Sequence, residues 1–202
     1  TGLVGNVSIP TYDGSTVGWA GEVDAAADGA GTFGEVELSP KRLTAYVDIS
    51  KQFLIQDSVS AEALLRKDIV DAISNKLEAT ILGAEAGSTT KPAGLFNAVV
   101  ADEADITYKD IVAMEQKLEE ANVSGNITFI ASPYAKATLK TTAIGGTKSD
   151  VRMLMDSGEV DGYPVLVTNG MAKKGLILGN FNDLVIGQWG GIDRHAYIQV
   201  DK

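Results

Sequence analysis

Residues 18–40 read "GWAGEVDAAADGAGTFGEVELSP", and this stretch decides how the chain is interpreted. It contains five carboxylates and no lysine or arginine, and it is rich in glycine. The first forty residues carry six acids, and the first basic side chain is Lys41. Such a segment cannot neutralise its own charge, and glycine adds no side-chain packing to a strand. We therefore expect residues 18–40 to be held in place by another part of the molecule or by another molecule.

The segments around this stretch alternate apolar and polar residues with period two, which is typical of strands with one covered face. "PTYDGS", residues 10–15, predicts a turn. Together these segments predict a long antiparallel hairpin over residues 12–45, and a two-stranded hairpin is only marginally stable alone in water. The predicted strands are residues 7–9, 17–23, 35–38 and 42–50.

A long helix is the clearest element of the sequence. Ser60 is a good N-cap, five aliphatic residues then recur every four positions, and Gly83 can end the helix. At 1.5 Å per residue, such a helix is roughly 36 Å long. We therefore predict a helix over residues 60–83, with an apolar stripe formed by Leu65, Ile69, Ile73, Leu77 and Ile81.

The rest of the chain alternates between helices and strands. Thr107 followed by Asp110 predicts the start of a second helix, and Ser132 with Pro133 predicts a third directly after a strand at residues 127–131. A hairpin and a long helix that precede a compact mixed unit are typical of an α+β fold. Further strands are predicted at residues 163–169, 175–179, 183–189 and 196–200, and a loop is predicted at residues 142–150.

Composition excludes several classes of protein. The chain has 202 residues and 45% apolar content, which is enough for a substantial core, and its net charge of −10 argues against wrapping nucleic acid. It has no cysteine, so neither a disulfide framework nor a thiolate metal site is expected. No apolar run approaches the roughly 20 residues needed to cross a bilayer, and we expect no membrane association.

Catalytic patterns are weak. His195 is the only histidine and no G-x-S-x-G motif accompanies it, so a serine–histidine mechanism is not expected. A zinc site needs three or four ligands, and a chain with one histidine and no cysteine could add only carboxylates, which suit harder ions. A zinc site is therefore excluded. "IGGTKS", residues 144–149, has the wrong order for a phosphate loop. We therefore expect neither an enzyme nor a cofactor, and a carboxylate pair without a sequence pattern stays open as the enzymatic alternative.

A partial calcium-loop pattern occurs in the acidic stretch. Asp24, Asp28, Gly29 and Glu35 fall at the first, fifth, sixth and twelfth positions of the pattern, but Ala26 cannot supply the third ligand. The flanks are predicted strands rather than helices. We therefore favour a solvated acidic turn over a metal site, with calcium binding as the alternative.

The order of six segments is informative beyond any one motif. They are residues 9–50, residues 51–85, "KPAGLFN" at 91–97, "ITFIASPYAKATLKT" at 127–141, "DGYPVLVTNGM" at 161–171 and residues 175–200. Together they resemble a recurring pattern in the major capsid proteins of tailed bacteriophages, the Hong Kong ninety-seven fold. The resemblance extends over nearly the whole chain.

The resemblance implies an α+β capsid fold with a particular division of the chain. An extended β-hairpin loop is expected at residues 12–45. A peripheral domain is expected at residues 46–94, with its spine helix at about 60–83. An axial domain of mixed helices and strands follows at residues 95–180, and residues 181–202 make a partial return to the peripheral domain.

The resemblance also implies what holds the acidic hairpin. In that family the extended loop lies across a neighbouring subunit, so copies of the same chain are the expected partners. Our hypothesis is that the acids of the loop meet basic residues of the neighbour; the alternative is that they only keep the loop soluble. The expected subunit-contact residues are Trp19, Glu22, Asp24, Asp28, Glu35, Glu37, Lys41, Arg42, Arg66 and Lys67, and Lys51 is a further basic candidate.

The function implied is that of a structural capsid protein of a tailed phage or prophage, which self-assembles into an icosahedral shell enclosing DNA. The expected location is the virion, and the host cytoplasm during assembly. Scaffold, protease and portal proteins are the implied assembly partners, and packaged DNA is contacted without sequence specificity. The alternatives are a bacterial nanocompartment shell protein of the encapsulin type and an α+β enzyme.

Two features depart from the family pattern. Some relatives join subunits through a lysine in the loop, but residues 1–40 contain no lysine, so covalent cross-linking is not expected. The chain also begins almost at the loop, so we expect it to be a processed or trimmed form.

Overall fold

The computed structural model describes residues 3–20, 22, 25, 28–47, 60–97, 105–145 and 152–190. The chain divides into two compact units, one formed by residues 1–40 with 185–202 and one by residues 41–184. Among the helices within the described ranges, none is both long enough and apolar enough to span a bilayer.

The smaller unit is built on an antiparallel pair of strands, β1 (Val7–Tyr12) and β2 (Phe33–Leu38). The register pairs Val7 with Leu38 and Tyr12 with Phe33. The indole nitrogen Nε1 of Trp189 donates to the Gly5 carbonyl oxygen at 2.7 Å, so residues near position 189 contact the segment just before β1.

Within its described residues, the larger unit contains three helices and a five-stranded sheet. The sheet order is β4-β5-β6-β3-β7, with β3 parallel to β6 and antiparallel to β7. The α+β fold class expected from the sequence is confirmed. The elements are α1 (Ser60–Ile81), α2 (Tyr108–Glu120), β3 (Ile127–Ala131), α3 (Pro133–Thr141), β4 (Met155–Asp156), β5 (Glu159–Val160), β6 (Tyr163–Val167) and β7 (Leu176–Asn180), with short 3-10 turns at Leu95–Asn97 and Phe181–Asp183.

One face of this sheet forms the core with α2 and α3. Phe129 on β3 is completely buried and lies against Ile111 of α2 and Leu139 of α3, which are 1% and 0% exposed. Phe129 also meets the ring of Tyr163 edge to face, with centroids 6.2 Å apart. Helix α2 and the β3–α3 corner therefore form as the sequence predicts.

The apolar stripe of α1 is only partly covered. Four of its five predicted members are half-buried, and Leu77 is 45% exposed. Among the side chains described from residue 63 onwards, the first buried one is Leu82, just past the end of the helix. There the Gly83 carbonyl accepts from the Phe96 amide at 3.0 Å. An open groove of about 320 Å³ lies along the last turns, lined by Ser74, Leu77, Glu78, Ile81 and Leu82.

The hairpin differs from the one predicted. Pro10, Thr11 and Tyr12 continue β1 instead of forming a turn, because proline has an extended φ that an edge strand accepts. Residues 17–20 and 42–47 form no strand. Their alternation was misleading because period two predicts a strand only where one face becomes covered, and Val17 and Leu43 of the predicted apolar faces remain 98% and 48% exposed.

Two further strand predictions have different outcomes. Residues 184–189 form no strand, and Val185 and Ile186 are 58% and 59% exposed. The strand predicted at 196–200 lies outside the described residues, as does most of the loop at 142–150. Strands β4 and β5 were not predicted, because each is two residues long and therefore too short to show any periodicity.

Candidate subunit-contact surface

The hairpin has two different faces because successive residues of a strand point to opposite sides. Register places Val7, Ile9, Val36 and Leu38 on one face. This face is apolar and incompletely covered, since Val36 is 51% exposed. The opposite face carries Ser8, Pro10, Tyr12, Phe33, Glu35 and Glu37.

Carboxylates on the polar face accept hydrogen bonds from neutral donors of the same hairpin. The Ser8 hydroxyl donates to Glu35 Oε2 at 2.8 Å, and the Asn6 amide donates to Glu37 Oε1 at 2.5 Å. These contacts orient the two carboxylates without neutralising them, because Asn and Ser carry no charge. The hairpin surface therefore stays negative.

Two aromatic rings stack where the ladder ends. Tyr12 and Phe33 face each other across the strands with ring centroids 4.6 Å apart. The Tyr12 hydroxyl lies 2.6 Å from the Ser15 hydroxyl and accepts from the Gly31 amide at 3.1 Å. These hydrogen bonds, that of Ser15 first, lower the pKa of Tyr12 below its usual value. The Phe33 ring is nevertheless 83% exposed, so the stack offers an apolar surface to solvent.

The two chain segments continue side by side beyond the ladder. The Asp13 amide donates to Thr32 O at 3.2 Å and the Thr16 amide donates to Gly29 O at 2.9 Å. Glycine is required at position 29 because a Cβ there would collide with the Thr16 carbonyl oxygen. Past this point Trp19 is completely exposed. Tryptophan is enriched at protein–protein interfaces, so the exposed Trp19 is a candidate contact residue.

The structure brings only some of the predicted contact residues together. Glu35 and Glu37 share one face of β2, and Asp28 forms a local turn in which its Oδ1 accepts from the Ala30 amide at 3.0 Å. Glu22 is exposed, and Asp24 lies outside the described residues. The hypothesis that these acids contact a second copy stays a prediction.

The predicted basic residues lie in the larger unit. Lys41 Nζ donates to the Thr89 carbonyl oxygen at 3.3 Å, and Arg42 is exposed. Arg66 and Lys67 are exposed on the first half of α1. Lys51 lies outside the described residues.

The described residues supply no site geometry for the calcium-loop pattern or for His195. Asp24 and Ala26 of the calcium-loop pattern lie outside the described residues, and so does His195. Glu35, the last position of the pattern, is hydrogen-bonded to Ser8 within the β-ladder. Within the described ranges no group of three or more candidate ligands could hold a metal ion.

Besides the groove along α1, the larger unit has a polar cavity of about 230 Å³ beside strands β4 to β6. The Tyr108 hydroxyl donates to Asp161 Oδ2 at 3.3 Å, and the negative charge of Asp161 raises the pKa of Tyr108. The Tyr163 hydroxyl donates to Glu115 Oε1 at 2.9 Å, and this hydrogen bond raises the pKa of Tyr163. Both tyrosines are therefore stabilised as neutral donors, a role that ties α2 to the β5–β6 region.

Sequence reasoning missed the aromatic stack and the donors of the polar face. Tyr12 and Phe33 are 21 positions apart, and only the register brings the rings together. Strand alternation could have indicated these neighbours, because it places residues 8, 10 and 12 on one side of β1 and residues 33, 35 and 37 on one side of β2.

The fold is shared with solved capsid structures. The solved capsid of a native GTA particle aligns with a TM-score of 0.69 over 89% of this chain and 69% of that chain. Sequence identity in this alignment is 18%, so the likeness concerns the fold. The Hong Kong ninety-seven type of capsid fold expected from the sequence is thereby confirmed.

Sequence comparison then gives the family. The model described as the phage capsid family matches residues 1–199, and the chain belongs to that family. It is 26% identical to the major capsid protein of Halomonas phage phiHAP-1 over 96% of this chain and 33% of that protein. It is 24% identical to the major capsid protein of Klebsiella oxytoca phage phiKO2 over 93% of this chain and 49% of that protein. The chain thus spans a third of the first relative and about half of the second.

Proposed function

We propose that this chain is the shell-forming part of the major capsid protein of a tailed phage or prophage, which self-associates into an icosahedral shell enclosing DNA. Family membership and the capsid fold support this proposal. The observation that carries it is the hairpin, in which Trp19 is fully exposed and Phe33 is 83% exposed. Burying these rings on a second copy would give a large favourable contribution to association.

The proposed division of the chain follows the capsid fold. Residues 12–45 are the extended loop, residues 46–94 belong to the peripheral domain and residues 95–180 to the axial domain. Residues 181–202 return to the peripheral domain. Helix α1 is the spine helix of the peripheral domain in this proposal.

Charge gives the hairpin its orientation on the neighbour. The proposed contacts join the acids of one copy, from Glu22 to Glu37, to Lys41, Arg42, Arg66 and Lys67 of another. Complementary charge of this kind affects partner choice and register more than affinity. The apolar rings would then supply most of the binding free energy.

The proposed location is the virion, with assembly in the host cytoplasm. Scaffold, protease and portal proteins are proposed partners during assembly. Packaged DNA is a proposed partner contacted without sequence specificity.

Electron microscopy of the purified chain at high concentration tests the proposal. We expect shells, capsomer rings or sheets with a regular repeat. The double variant Glu22→Lys with Glu35→Lys should lose these assemblies while its far-UV circular dichroism spectrum stays that of the folded chain.

The matched control reverses two acids outside the hairpin, Glu119→Lys with Glu120→Lys on α2. The control should assemble as the wild type does. A wild-type chain that stays monomeric at all concentrations would contradict the proposed function. Normal assembly of the hairpin variant would contradict the charge contacts alone.

A further inference from the structure

Two segments of this acidic chain contain lysines and no carboxylate. Residues 121–149 contain three lysines and no Asp or Glu, and residues 162–182 contain two lysines and no Asp or Glu. The whole chain has 27 acids and a net charge of −10, so such segregation of charge is a marked local departure.

The fold joins these two segments in one place. The Ser132 hydroxyl, at the start of α3, donates to the Lys173 carbonyl oxygen at 2.6 Å in the β6–β7 loop. The Ser132 amide donates to Gly175 O at 2.9 Å. Lys173 Nζ lies 5.5 Å from the centroid of the Tyr134 ring on α3. The loop is therefore fixed against the helix. We call the side chains of Lys136, Lys140, Lys173 and Lys174 the lysine surface.

The lysine surface keeps its positive charge available. None of its four ammonium groups forms an ion pair with a carboxylate of the described residues. Lys140, Lys173 and Lys174 are exposed, and Lys136 is half-buried. Glu78 of α1 accepts a hydrogen bond from Thr168 at the beginning of the loop, and it is not paired with any of the four lysines.

We propose that the lysine surface binds the phosphates of a nucleic-acid backbone. Lysine is a compact point charge without the planar fork of arginine, so it suits phosphate contacts that are independent of base sequence. The chain as a whole is negative and repels a polyanion, whereas a surface with four lysines and no paired carboxylate attracts one. The inference rests on the proposed function, because a subunit that encloses DNA turns some part of its surface towards it.

The acidic hairpin of a second copy is the competing polyanion. The proposed function assigns the acids of that hairpin to Lys41, Arg42, Arg66 and Lys67, and it leaves the four lysines of the lysine surface unassigned. Backbone phosphates exchange only counterions and water for lysine. The observations therefore favour nucleic acid.

Fluorescence anisotropy with a short labelled duplex DNA tests this inference on the 202-residue chain. We expect binding at low salt that weakens steeply as salt is added. The slope of log K against log salt should fall by about 0.9 for each contacting lysine replaced by glutamine. The variants are the pairs Lys136→Gln with Lys140→Gln and Lys173→Gln with Lys174→Gln, and DNA of scrambled sequence should bind equally well.

The control pair is Lys109→Gln with Lys117→Gln, two lysines of α2, which also carries several acids. Equal loss of binding in the control, or no salt-dependent binding by the wild type, would overturn the inference. Loss of self-association instead of DNA binding in the lysine variants would also overturn it, in favour of the hairpin of a second copy. DNA binding by a chain that forms no assembly would support the inference and contradict the proposed shell function.

Discussion

Ser132 shows how one buried hydroxyl connects local and distant structure. It is 1% exposed, it accepts from the Ala135 amide at 3.0 Å and it donates to Lys173 O. The N-cap role followed from the Ser132–Pro133 pair in the sequence. The bond to Lys173 did not, because it joins residues 41 positions apart.

The variant Ser132→Ala should lower the free energy of unfolding by about 2 kcal/mol, because it leaves a buried amide and a carbonyl without their partner. Urea unfolding measures this change. Thr141→Ala is the control, since the Thr141 side chain is exposed and bonds back only within its own helix. A change below about 0.5 kcal/mol is expected there. Equal effects of the two variants would contradict the role given to Ser132.

At the scale of elements, the helix starts are the most predictable features. Thr107 and Asp110 form the predicted capping box of α2, where the Thr107 amide and hydroxyl both donate to Asp110 Oδ2, at 2.8 and 2.6 Å. Strand predictions failed at residues 17–20 and 184–189, for which the described part of the chain supplies no partner strand. Pairing is a property of two segments, and alternation within one segment cannot supply it.

The capping box makes α2 sensitive to acid. Its hydrogen bonds, that of the Thr107 side chain first, hold the pKa of Asp110 below the usual 3.8. A lowered folded-state pKa gives stability that is complete above 3.8 and is lost as pH falls through the lowered pKa. The difference in unfolding free energy between wild type and Asp110→Asn should therefore narrow below pH 3.8. Urea unfolding at neutral pH and at several acidic values measures it; a difference independent of pH would refute this account.

The turns between strands β4, β5 and β6 have a sequence pattern that could have predicted them. Ser157 and Gly158 both have positive φ, of 51° and 95°, and Asp161 and Gly162 repeat this pattern at 50° and 85°. Such pairs form the two-residue turns that match the twist of a hairpin. Ser-Gly and Asp-Gly therefore indicated two successive hairpins, although the strands themselves are too short to detect by periodicity.

At the scale of the whole molecule, the order of segments predicted the capsid fold better than any single motif did. The unneutralised acids of the hairpin were the reason for predicting that it needs a partner outside itself. The structure adds a second reason, since the Tyr12–Phe33 stack and Trp19 expose aromatic surface. Composition alone could not reveal this, because exposure depends on which residues share a face.

Trp19→Ser should therefore weaken self-association at least tenfold, since it removes most of the apolar area that one ring would bury. Sedimentation velocity over a range of concentrations measures the effect. The control is Tyr46→Ser, an aromatic residue that is 87% exposed outside the hairpin. Unfolding by urea should be unchanged in both variants. A Trp19 variant that associates like the wild type would remove Trp19 from the proposed interface.

A two-stranded ribbon also leaves both of its long sides available for unwanted strand addition and aggregation. The bond from the Asp13 amide to Thr32 O sets the alternation of the ladder, so the ring nitrogen of Pro10 points away from β2. Proline there deletes one donor from the open side of β1, and Glu35 and Glu37 add like-charge repulsion along β2. Both features would oppose fibril-like stacking of a chain that, in the proposed assembly, has not yet bound a neighbouring copy.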